Sequence, residues 1–296
     1  MRKIFKVGKD EVGKRLDKFL SEKIQALSRT KIKELIKERF ILVNEKEKKP
    51  NYSLQINDEI KVFFTPQKKE ELPPFAYPVE IIYEDEDIIV VNKPRGLVVH
   101  PPNPNYQKTL INALIHMGKK LSDINPLRKG VVHRLDKETS GVLVLAKKNE
   151  VHLNLVKQFQ KREVKKEYRA IVWGMLRQNK LKISLPLKKT DIPFKMKVGF
   201  FKAKEAFTEI EVIKRGKDFS FLSVKPISGR THQIRVHLSF LGYPIVGDKK
   251  YGCKDKYDKL FLHAYRLGLY HPSEGNFVEF EAPLPEHFLK FLKENV

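Results

Sequence analysis

The residues of this sequence best suited to chemistry lie in one short polar segment between two apolar runs. Residues 130–141 read GVVHRLDKETSG, and the apolar stretch 142–146 follows directly. A loop held between core strands is where a scaffold commonly places reacting groups. Asp136 is the central carboxylate of this segment, with the cations Arg134 and Lys137 close to it. Because a single aspartate in a loop more often shapes a turn, Asp136 taken alone is a candidate for a catalytic group and no more.

A second polar segment, residues 228–237, reads SGRTHQIRVH. Gly229 ends the preceding strand pattern, and Thr231 is suited to cap a helix over residues 231–241. The charged and titratable side chains of the segment are Arg230, His232, Arg235 and His237. No third ligand accompanies the two histidines at a convincing zinc-binding spacing. The segment therefore predicts no metal site.

A third segment, residues 165–170, reads KKEYRA. If it forms a strand, Tyr168, Ala170 and Val172 share one face, because successive side chains alternate. A tyrosine on such a face usually belongs to the core. Beside a carboxylate in a nucleic-acid-binding protein, it is equally suited to stack on a flipped base.

The charge of the chain favours a polyanionic partner. Its 296 residues carry 59 Lys and Arg against 36 Asp and Glu, a formal charge of +23. Cations that contact phosphates release counterions, so RNA, DNA and an anionic membrane all remain open. One cysteine, Cys253, excludes an internal disulfide and a multi-cysteine zinc site. The first residues contain no apolar signal segment, and no apolar run of about 18 residues occurs, so we expect a cytoplasmic protein without a membrane span.

Residues 1–65 are predicted to form a small α/β domain. Apolar residues at helical spacing indicate one helix around 16–24 and a second around 32–40, with Ser28 as the cap of the second. Strands are expected at 40–43 and 59–64. Off the apolar face of the second helix lie the cations Arg29, Lys31, Lys33, Lys37 and Arg39. Such a run is as often a solvated face as a ligand contact.

The rest of the chain is predicted to be a proline-rich linker, 66–78, followed by a larger domain, 79–296. Strand patterns occur at 80–83, 88–92, 142–146, 167–172, 207–213 and 219–224. Helical patterns occur at 109–117, 150–161 and 231–241, the last closed by Gly242 at the C′ position. Because strands and helices do not alternate strictly, an α+β fold with a mixed or antiparallel sheet is expected.

Taken together, residues 133–141, 166–168 and 229–235 resemble the signature motifs of the RluA family of pseudouridine synthases. The element from Val91 to Pro94, continuing to Gly96 and then His100 and Pro101, resembles the opening motif of that family. The resemblance runs from about residue 80 to residue 265 in the order of the family.

Residues 14–64 resemble an S4 RNA-binding domain, although Arg39 and Glu45 stand where such domains often have glycine. An S4 domain combined with the ending at His100 and Pro101 is most similar to the RluD branch. Members of that branch modify a stem-loop of large-subunit ribosomal RNA.

The resemblance implies an isomerase that converts selected uridines of a structured RNA to pseudouridine. Asp136 matches the essential aspartate of the family, acting either as a nucleophile at uracil C6 or ribose C1′, or as a base at the sugar that gives a glycal. Arg235 matches the motif arginine and is expected to pair with Asp136, since its planar fork suits a carboxylate. Tyr168 is expected to stack on the uracil.

Contacts to RNA, a ribosomal RNA stem-loop above all, are expected from Arg134, His133, Arg230, Arg29, Lys31, Lys33 and Lys37. The resemblance implies no cofactor, nucleotide or metal, and we expect a monomer.

Three other interpretations each fit part of the sequence. A non-catalytic RNA-binding or ribosome-assembly protein of the same fold stays open. A phosphotransferase is suggested only by residues 133–136, HRLD, and lacks the glycine-rich loop and the further motifs of kinases. A DNA-binding regulator fits the charge, but no helix-turn-helix or zinc finger is visible in the sequence.

Overall fold

The computed structural model describes residues 2–24, 27, 29–63, 72–103, 105–252 and 255–295. The chain divides into two compact units, residues 1–71 and 72–296. Ser28, Cys253 and the linker residues 66–71 lie outside the described residues, and residues 72–79 form neither helix nor strand.

The first unit packs two helices against a small antiparallel sheet. Its elements are β1 (Arg2–Lys6), a 3₁₀ helix (Lys9–Glu11), α1 (Leu16–Lys23), α2 (Arg29–Lys37), β2 (Ile41–Val43) and β3 (Glu59–Phe63), with strand order β1-β3-β2. The apolar residues at helical spacing face one core, in which Phe19 and Ile32 are buried with Ile60. Both predicted helices and both predicted strands are confirmed. The apolar pattern does not predict β1, because three of its five residues are cations.

The second unit is built on one large sheet flanked by helices. Its strands are β4 (Glu80–Glu84), β5 (Ile88–Lys93), β6 (Ser140–Ala146), β7 (Lys165–Trp173), β8 (Lys180–Ser184), β9 (Leu187–Lys189), β10 (Met196–Val198), β11 (Phe207–Arg215), β12 (Phe219–Pro226), β13 (Leu262–Tyr270) and β14 (Phe277–Glu281). Its helices are α3 (Leu110–His116), α4 (Asn149–Lys161), α5 (Gln233–Phe240) and α6 (Glu286–Asn295), with a 3₁₀ helix at Pro126–Arg128. Strands β9 and β10 form a separate hairpin.

The nine strands of the large sheet run in the order β4-β5-β6-β13-β7-β12-β11-β8, with β14 paired to β13. Strands β6 and β13 are parallel, at Ser140 with His263 and Gly141 with Ala264. The other strand pairs of the described sheet are antiparallel. The predicted α+β class with a mixed, largely antiparallel sheet is confirmed. Strand β13 lies between β6 and β7, and this order brings the start of β6 close to the middle of β7.

Helix α5 begins two residues later than the sequence predicts. His232 adopts a left-handed backbone with φ 56°, so the helix starts at Gln233 and Thr231 is not its cap. The predicted end is confirmed: Gly242 has φ +83°, and the N–H of Tyr243 donates to the carbonyl of Leu238 at 2.9 Å. These contacts are those of a Schellman motif at the C-terminus.

Two apolar cores support the sheet. One joins β5 and β6 to helices α3 and α4, with Val90, Leu143 and Leu155 fully buried. The other joins β7 and β12 to α5 and α6, with Leu238 and Phe288 fully buried. Within the described ranges, no helix is long and apolar enough to cross a membrane.

Candidate active site

The loop that carries Asp136 is anchored where β6 meets β13. Gly141 has φ +116°, and a Cβ atom on it would lie 2.1 Å from the carbonyl oxygen of Ala264. Only glycine permits this approach of the two backbones. Beside it, the hydroxyl of Ser140 and Nδ1 of His263 lie 2.9 Å apart. The end of the loop is therefore fixed against a strand from a distant part of the chain.

Lys93 fixes the same loop from another side. Its Nζ donates to the carbonyl oxygens of Pro94, Leu97 and Lys137 at 2.7, 2.9 and 3.3 Å. Burial lowers the pKa of Lys93 to about 7, while the charge of Asp136 opposes that shift. Lys93 thus ties the opening motif of the sequence to the loop that carries the candidate carboxylate.

The start of α5 is held by the side chain of Gln233. Its Oε1 accepts the hydroxyl of Ser228 at 2.8 Å and the N–H of Arg230 at 3.0 Å. Its Nε2 donates to Phe207 and Thr208 on β11, each at 2.9 Å. With these contacts the loop after β12 turns into the helix at a fixed point, which sets the direction of Arg235.

Arg235 lies between two carboxylates. Its Nε and Nη2 donate to Asp248 at 2.8 and 2.7 Å, whereas its Nη1 lies 3.7 Å from Oδ2 of Asp136. The side chains of Arg235 and Asp248 are 6% and 1% exposed, and that of Asp136 is 21% exposed. Burial opposes charge on both members of the buried pair, yet the pKa of Arg235 is raised and that of Asp248 lowered, because each binds the other.

The structure therefore brings Arg235 and Asp136 together, as the sequence predicts, with one correction. The planar fork of Arg235 binds Asp248 and not Asp136. Only the remaining nitrogen, Nη1, faces Asp136, at a distance beyond a normal hydrogen bond.

His232 approaches Asp136 from the same side. Its Nε2 lies 3.8 Å from Oδ2 of Asp136, and its Nδ1 lies 2.7 Å from the hydroxyl of Tyr251. That hydroxyl accepts the N–H of Met196 at 2.8 Å, so its own proton is free to be donated to Nδ1. In the neutral imidazole, a proton on Nε2 then faces Asp136. Burial lowers the pKa of His232, against the opposing charge of Asp136.

Tyr168 and Asp136 line one cavity of about 80 Å³. Tyr168 stands on β7, opposite Val224 of β12 and Ala264 of β13. Burial raises the pKa of Tyr168 and the charge of Asp136 raises it further, so the phenol stays protonated at neutral pH. The other residues that line the cavity include Arg134, Leu135, Arg230, His232 and Arg235.

Of the three RNA contacts predicted near this cavity, two face it and one does not. Arg134 is exposed and Arg230 is half-buried, and both line the cavity. The ring of His133 stacks on Phe159 at 4.6 Å, and its Nε2 accepts the N–H of Val144 at 3.1 Å. Burial lowers the pKa of His133 to about 3. His133 is therefore engaged within the protein, and the expectation of an RNA contact is corrected to one of loop support.

His237 is also engaged within the protein. Its Nδ1 and Nε2 lie 2.9 Å from the hydroxyl of Thr208 and the carbonyl of Leu185. In the part of the chain that the structure describes, no group of three or more His, Cys, Asp or Glu residues is arranged to hold a metal ion.

Three of the four cations predicted to contact RNA from α2 pair with carboxylates of the first unit. Asp17 is fully buried, and its carboxylate accepts two hydrogen bonds each from Arg15 and Arg29, all at 3.1 Å. Burial alone would raise the pKa of Asp17, but the two guanidinium groups lower it to about 2. Lys33 lies 3.8 Å from the same carboxylate. Arg29 and Lys33 nevertheless remain about half exposed, so they still face solvent.

The remaining two predicted cations of α2 differ from each other. Lys31 pairs with Glu34 at 3.2 Å, one turn along the helix. Lys37 is exposed at the C-terminal end of α2.

Asp248 and Tyr251 are site residues that the sequence reasoning missed. They belong to residues 247–252, GDKKYG, which form a tight turn. Gly247 has φ +73°, and a Cβ atom on it would lie 1.9 Å from the carbonyl of Lys259. A carboxylate enclosed between two glycines was the signal in the sequence, but nothing in the spacing connects it with Arg235.

A basic and aromatic surface beside the site was also missed. A cavity of about 660 Å³ separates the β9–β10 hairpin from residues 229–231. We call its lining cations and the neighbouring phenylalanines the hairpin surface: Lys188, Lys189, Lys197, Lys202, Lys204, Arg230, Phe194, Phe200 and Phe201. Asp191 is the one acidic residue among those that line the cavity. The three phenylalanines are 73–87% exposed, unusual for apolar rings without a ligand.

Comparison with known proteins gives two family matches. Residues 87–240 match the family model described as RNA pseudouridylate synthase, and residues 14–60 match the S4 domain. The first match spans about half of the chain and contains Asp136, Tyr168 and Arg235.

Relatives of similar length support these matches. A protein of Aquifex aeolicus named uncharacterized RNA pseudouridine synthase is 42% identical over 96% of this chain and 94% of its own length. Ribosomal large subunit pseudouridine synthase D of Escherichia coli K12 is 34% identical over 97% and 92%. Among solved structures, human RNA pseudouridylate synthase domain containing 4 matches with TM-score 0.58 and 28% identity, over 72% of this chain and 92% of that one.

Proposed function

Because the chain belongs to the RNA pseudouridylate synthase family, we propose that it isomerises selected uridines of large-subunit ribosomal RNA, with Asp136 as the reacting carboxylate. The chain is an isomerase that binds RNA and carries an S4 domain. The observation that carries the assignment of the site is the convergence of Asp136, Tyr168 and Arg235 on one cavity. They come from a loop, a strand and a helix that are far apart in sequence.

The reaction rearranges one nucleotide and leaves its atomic composition unchanged. The bond between N1 of uracil and C1′ of ribose breaks, the base turns, and a bond forms between C5 and C1′. A proton leaves C5 and another is taken up at N1. No electron or group passes to another molecule, so the proposed reaction needs no cofactor, nucleotide or metal.

Asp136 acts in this proposal with an oxygen, Oδ2, to which no group in the described part of the chain donates a hydrogen bond. Its Oδ2 faces the cationic Nη1 of Arg235 and Nε2 of His232 at 3.7 and 3.8 Å. At these distances no hydrogen bond from either group occupies the lone pairs of this oxygen, which stay available to carbon or to a proton. Both the route through a covalent adduct and the route through a glycal require such a carboxylate, and both remain open.

Tyr168 supports the uracil in this proposal. Its protonated phenol ring lines the same cavity as Asp136 and offers a flat face to a base. The uridine has to leave its stack first, which costs a few kcal/mol and costs least in a loop. A stem-loop is therefore a better substrate than a continuous duplex.

Two surfaces supply the proposed grip on RNA. The S4 unit presents Arg29, Lys33 and Lys37 along α2. The hairpin surface presents six cations and three exposed rings, the combination that binds phosphates and stacks on unpaired bases. A ribosomal stem-loop is proposed as substrate because several relatives are named ribosomal large subunit pseudouridine synthase D.

The proposed place of action is the cytoplasm, and the proposed unit is a monomer.

The test is conversion of uridine in a large-subunit ribosomal stem-loop by purified protein without added cofactor. Pseudouridine has the mass of uridine and is detected by carbodiimide labelling. We expect conversion by the wild type and none by Asp136→Asn, with RNA affinity within about threefold, because the amide cannot act as nucleophile or base.

The alternative function, RNA binding without catalysis, predicts a different result. Asp136→Asn would then be indistinguishable from wild type in every assay, and no ribosomal fragment would be converted. That pair of results would overturn the proposal.

A further inference from the structure

We propose that Asp248 is a positioning residue that holds the fork of Arg235 away from Asp136, so that the reacting carboxylate stays beside a positive charge without being bound by it. This inference rests on the proposed function of Asp136. It concerns a residue outside the loop, the strand and the helix that line the cavity.

The division of the guanidinium between two carboxylates is unequal. Asp248 takes the edge formed by Nε and Nη2 with two hydrogen bonds of 2.8 and 2.7 Å. Asp136 faces the one remaining nitrogen at 3.7 Å, beyond hydrogen-bond distance. An arginine without such a partner would turn its fork to the nearest carboxylate, since bidentate pairing is its preferred geometry.

That alternative pairing would oppose the reaction. A carboxylate bound through both oxygens to a guanidinium has its lone pairs occupied by N–H donors. It is then a poorer nucleophile and a poorer base. Occupying the fork of Arg235 elsewhere keeps the favourable charge near Asp136 and avoids this loss.

Asp248 is held too firmly to follow Arg235 toward Asp136. Its Oδ1 also accepts the backbone N–H groups of Lys250 and Tyr251, both at 3.0 Å. Its side chain is 1% exposed. The ring centroid of Tyr251 lies 5.2 Å from the guanidinium carbon of Arg235, so the ring packs beside the guanidinium group.

The same turn also restrains the second neighbour of Asp136. The hydroxyl of Tyr251 lies 2.7 Å from Nδ1 of His232, whose other nitrogen stops 3.8 Å from Asp136. Residues 248–251 therefore hold both Arg235 and His232 at nearly equal distances from the reacting carboxylate.

The experiment compares Asp248→Asn with wild type on a convertible stem-loop. The introduced amide has nearly the same shape and can still accept the two backbone N–H groups, but it cannot hold the fork. We expect the single-turnover rate to fall about a hundredfold, the effect of misplacing a reacting group by about 1 Å. RNA affinity should stay within about threefold, because Asp248 is not among the residues that line the cavity.

Asp255→Asn is the matched control. Asp255 accepts the N–H of Gly247 at 2.8 Å and the indole N–H of Trp173 at 2.9 Å, so it supports the same turn without contacting Arg235. We expect this variant to keep a rate within about threefold of wild type. An equal loss of rate in both variants would show that the turn matters only for folding, and the positioning role would be refuted.

A double substitution keeps the test valid if the single variant folds poorly. Arg235→Met with Asp248→Asn removes both buried charges, so neither is left unpaired. If Asp248 acts only through Arg235, the double variant reacts as fast as Arg235→Met alone. A further drop of tenfold or more would refute the inference.

The inference and the proposed function fail in different ways. A wild type that converts uridine, together with an equally fast Asp248→Asn, removes the positioning role and leaves the enzyme. A wild type with no activity on any ribosomal stem-loop removes both.

Discussion

At the scale of single residues, the cavity places the positive charge of Arg235 near Asp136 without a hydrogen bond between the two side chains. Nη1 of Arg235 and Nε2 of His232 lie 3.7 and 3.8 Å from Oδ2 of Asp136, and neither donates a hydrogen bond to it. Asp248 binds Nε and Nη2 of Arg235, and the hydroxyl of Tyr251 contacts Nδ1 of His232, which holds both side chains in place. Asp136 thus stays accessible because its neighbours, Arg235 and His232, are bound by other residues.

Tyr168 provides the prediction that belongs to this scale. If its ring stacks on the uracil, Tyr168→Phe should retain the single-turnover rate within a few fold, and Tyr168→Leu should lose about 10- to 100-fold, since stacking on an aromatic ring contributes roughly 1–3 kcal/mol per base. The measurement is conversion at saturating RNA, with the melting temperature recorded for both variants. A Tyr168→Phe variant as slow as Tyr168→Leu would assign the role to the hydroxyl instead.

How far the sequence predicts these residues depends on what fixes each position. Asp136, Tyr168 and Arg235 lie in segments whose motifs are recognisable, and the structure brings them together. The partner of Arg235 was not predictable, because Asp248 lies 13 residues further along and meets it only through a turn. His133 was misjudged for a related reason: its position in the motif gives no sign that its ring stacks on Phe159.

At the scale of elements, the close contact of β6 with β13 determines where the Asp136 loop ends. The parallel pairing joins residues 123 apart in sequence. Hydrophobic patterns predict strands but not which strands pair over such a distance, so the apolar pattern of β6 was recognised and its neighbour was not. Helix α5 shows a smaller limit: the left-handed residue His232 displaces its start from the expected cap.

Gly141→Ala tests this contact. The new methyl group would meet the backbone of β13, which cannot move aside like a flexible side chain. We expect a loss of more than about 3 kcal/mol in the free energy of unfolding, measured in urea by the fluorescence of Trp173, the single tryptophan. The rate of conversion should fall as well, because the Asp136 loop is displaced.

Gly118→Ala is its control. Gly118 also has a positive φ, +73°, but a Cβ atom there has nothing within 4 Å. Its cost should be near 1 kcal/mol, the strain of the backbone alone. Equal costs at the two positions would mean that the approach of β6 to β13 is not tight.

At the scale of the whole molecule, a formal charge of +23 is distributed over both units. If both units bind one RNA, neutralising cations in either should make binding less dependent on salt. In the full chain, we expect Lys189→Gln, Lys197→Gln and Lys202→Gln together to reduce the slope of log K against log salt by about 1–2, since each phosphate that a cation neutralises contributes roughly 0.7 to that slope. Lys33→Gln with Lys37→Gln should reduce it by about 1.

The control for charge alone is a triple substitution of Lys157, Lys161 and Lys290, which are exposed on α4 and α6. It removes the same charge as the hairpin triple and should leave the slope nearly unchanged. A slope that falls equally in the control would show that the hairpin triple acts only through the net charge of the protein and not through contacts of the hairpin surface with phosphate. An unchanged slope in the α2 variant would mean that the S4 unit does not touch phosphate.

The position of β13 has a consequence for the folding of the active cavity. Strand β13 follows both β6 and β7 in the chain, and both strands pair with it. Asp136 and Tyr168 are therefore brought to one cavity only when β13 has docked between β6 and β7, a pairing of residues far apart in sequence. We therefore expect a chain truncated before β13 to be inactive on RNA, because Asp136 and Tyr168 would no longer be held at one cavity.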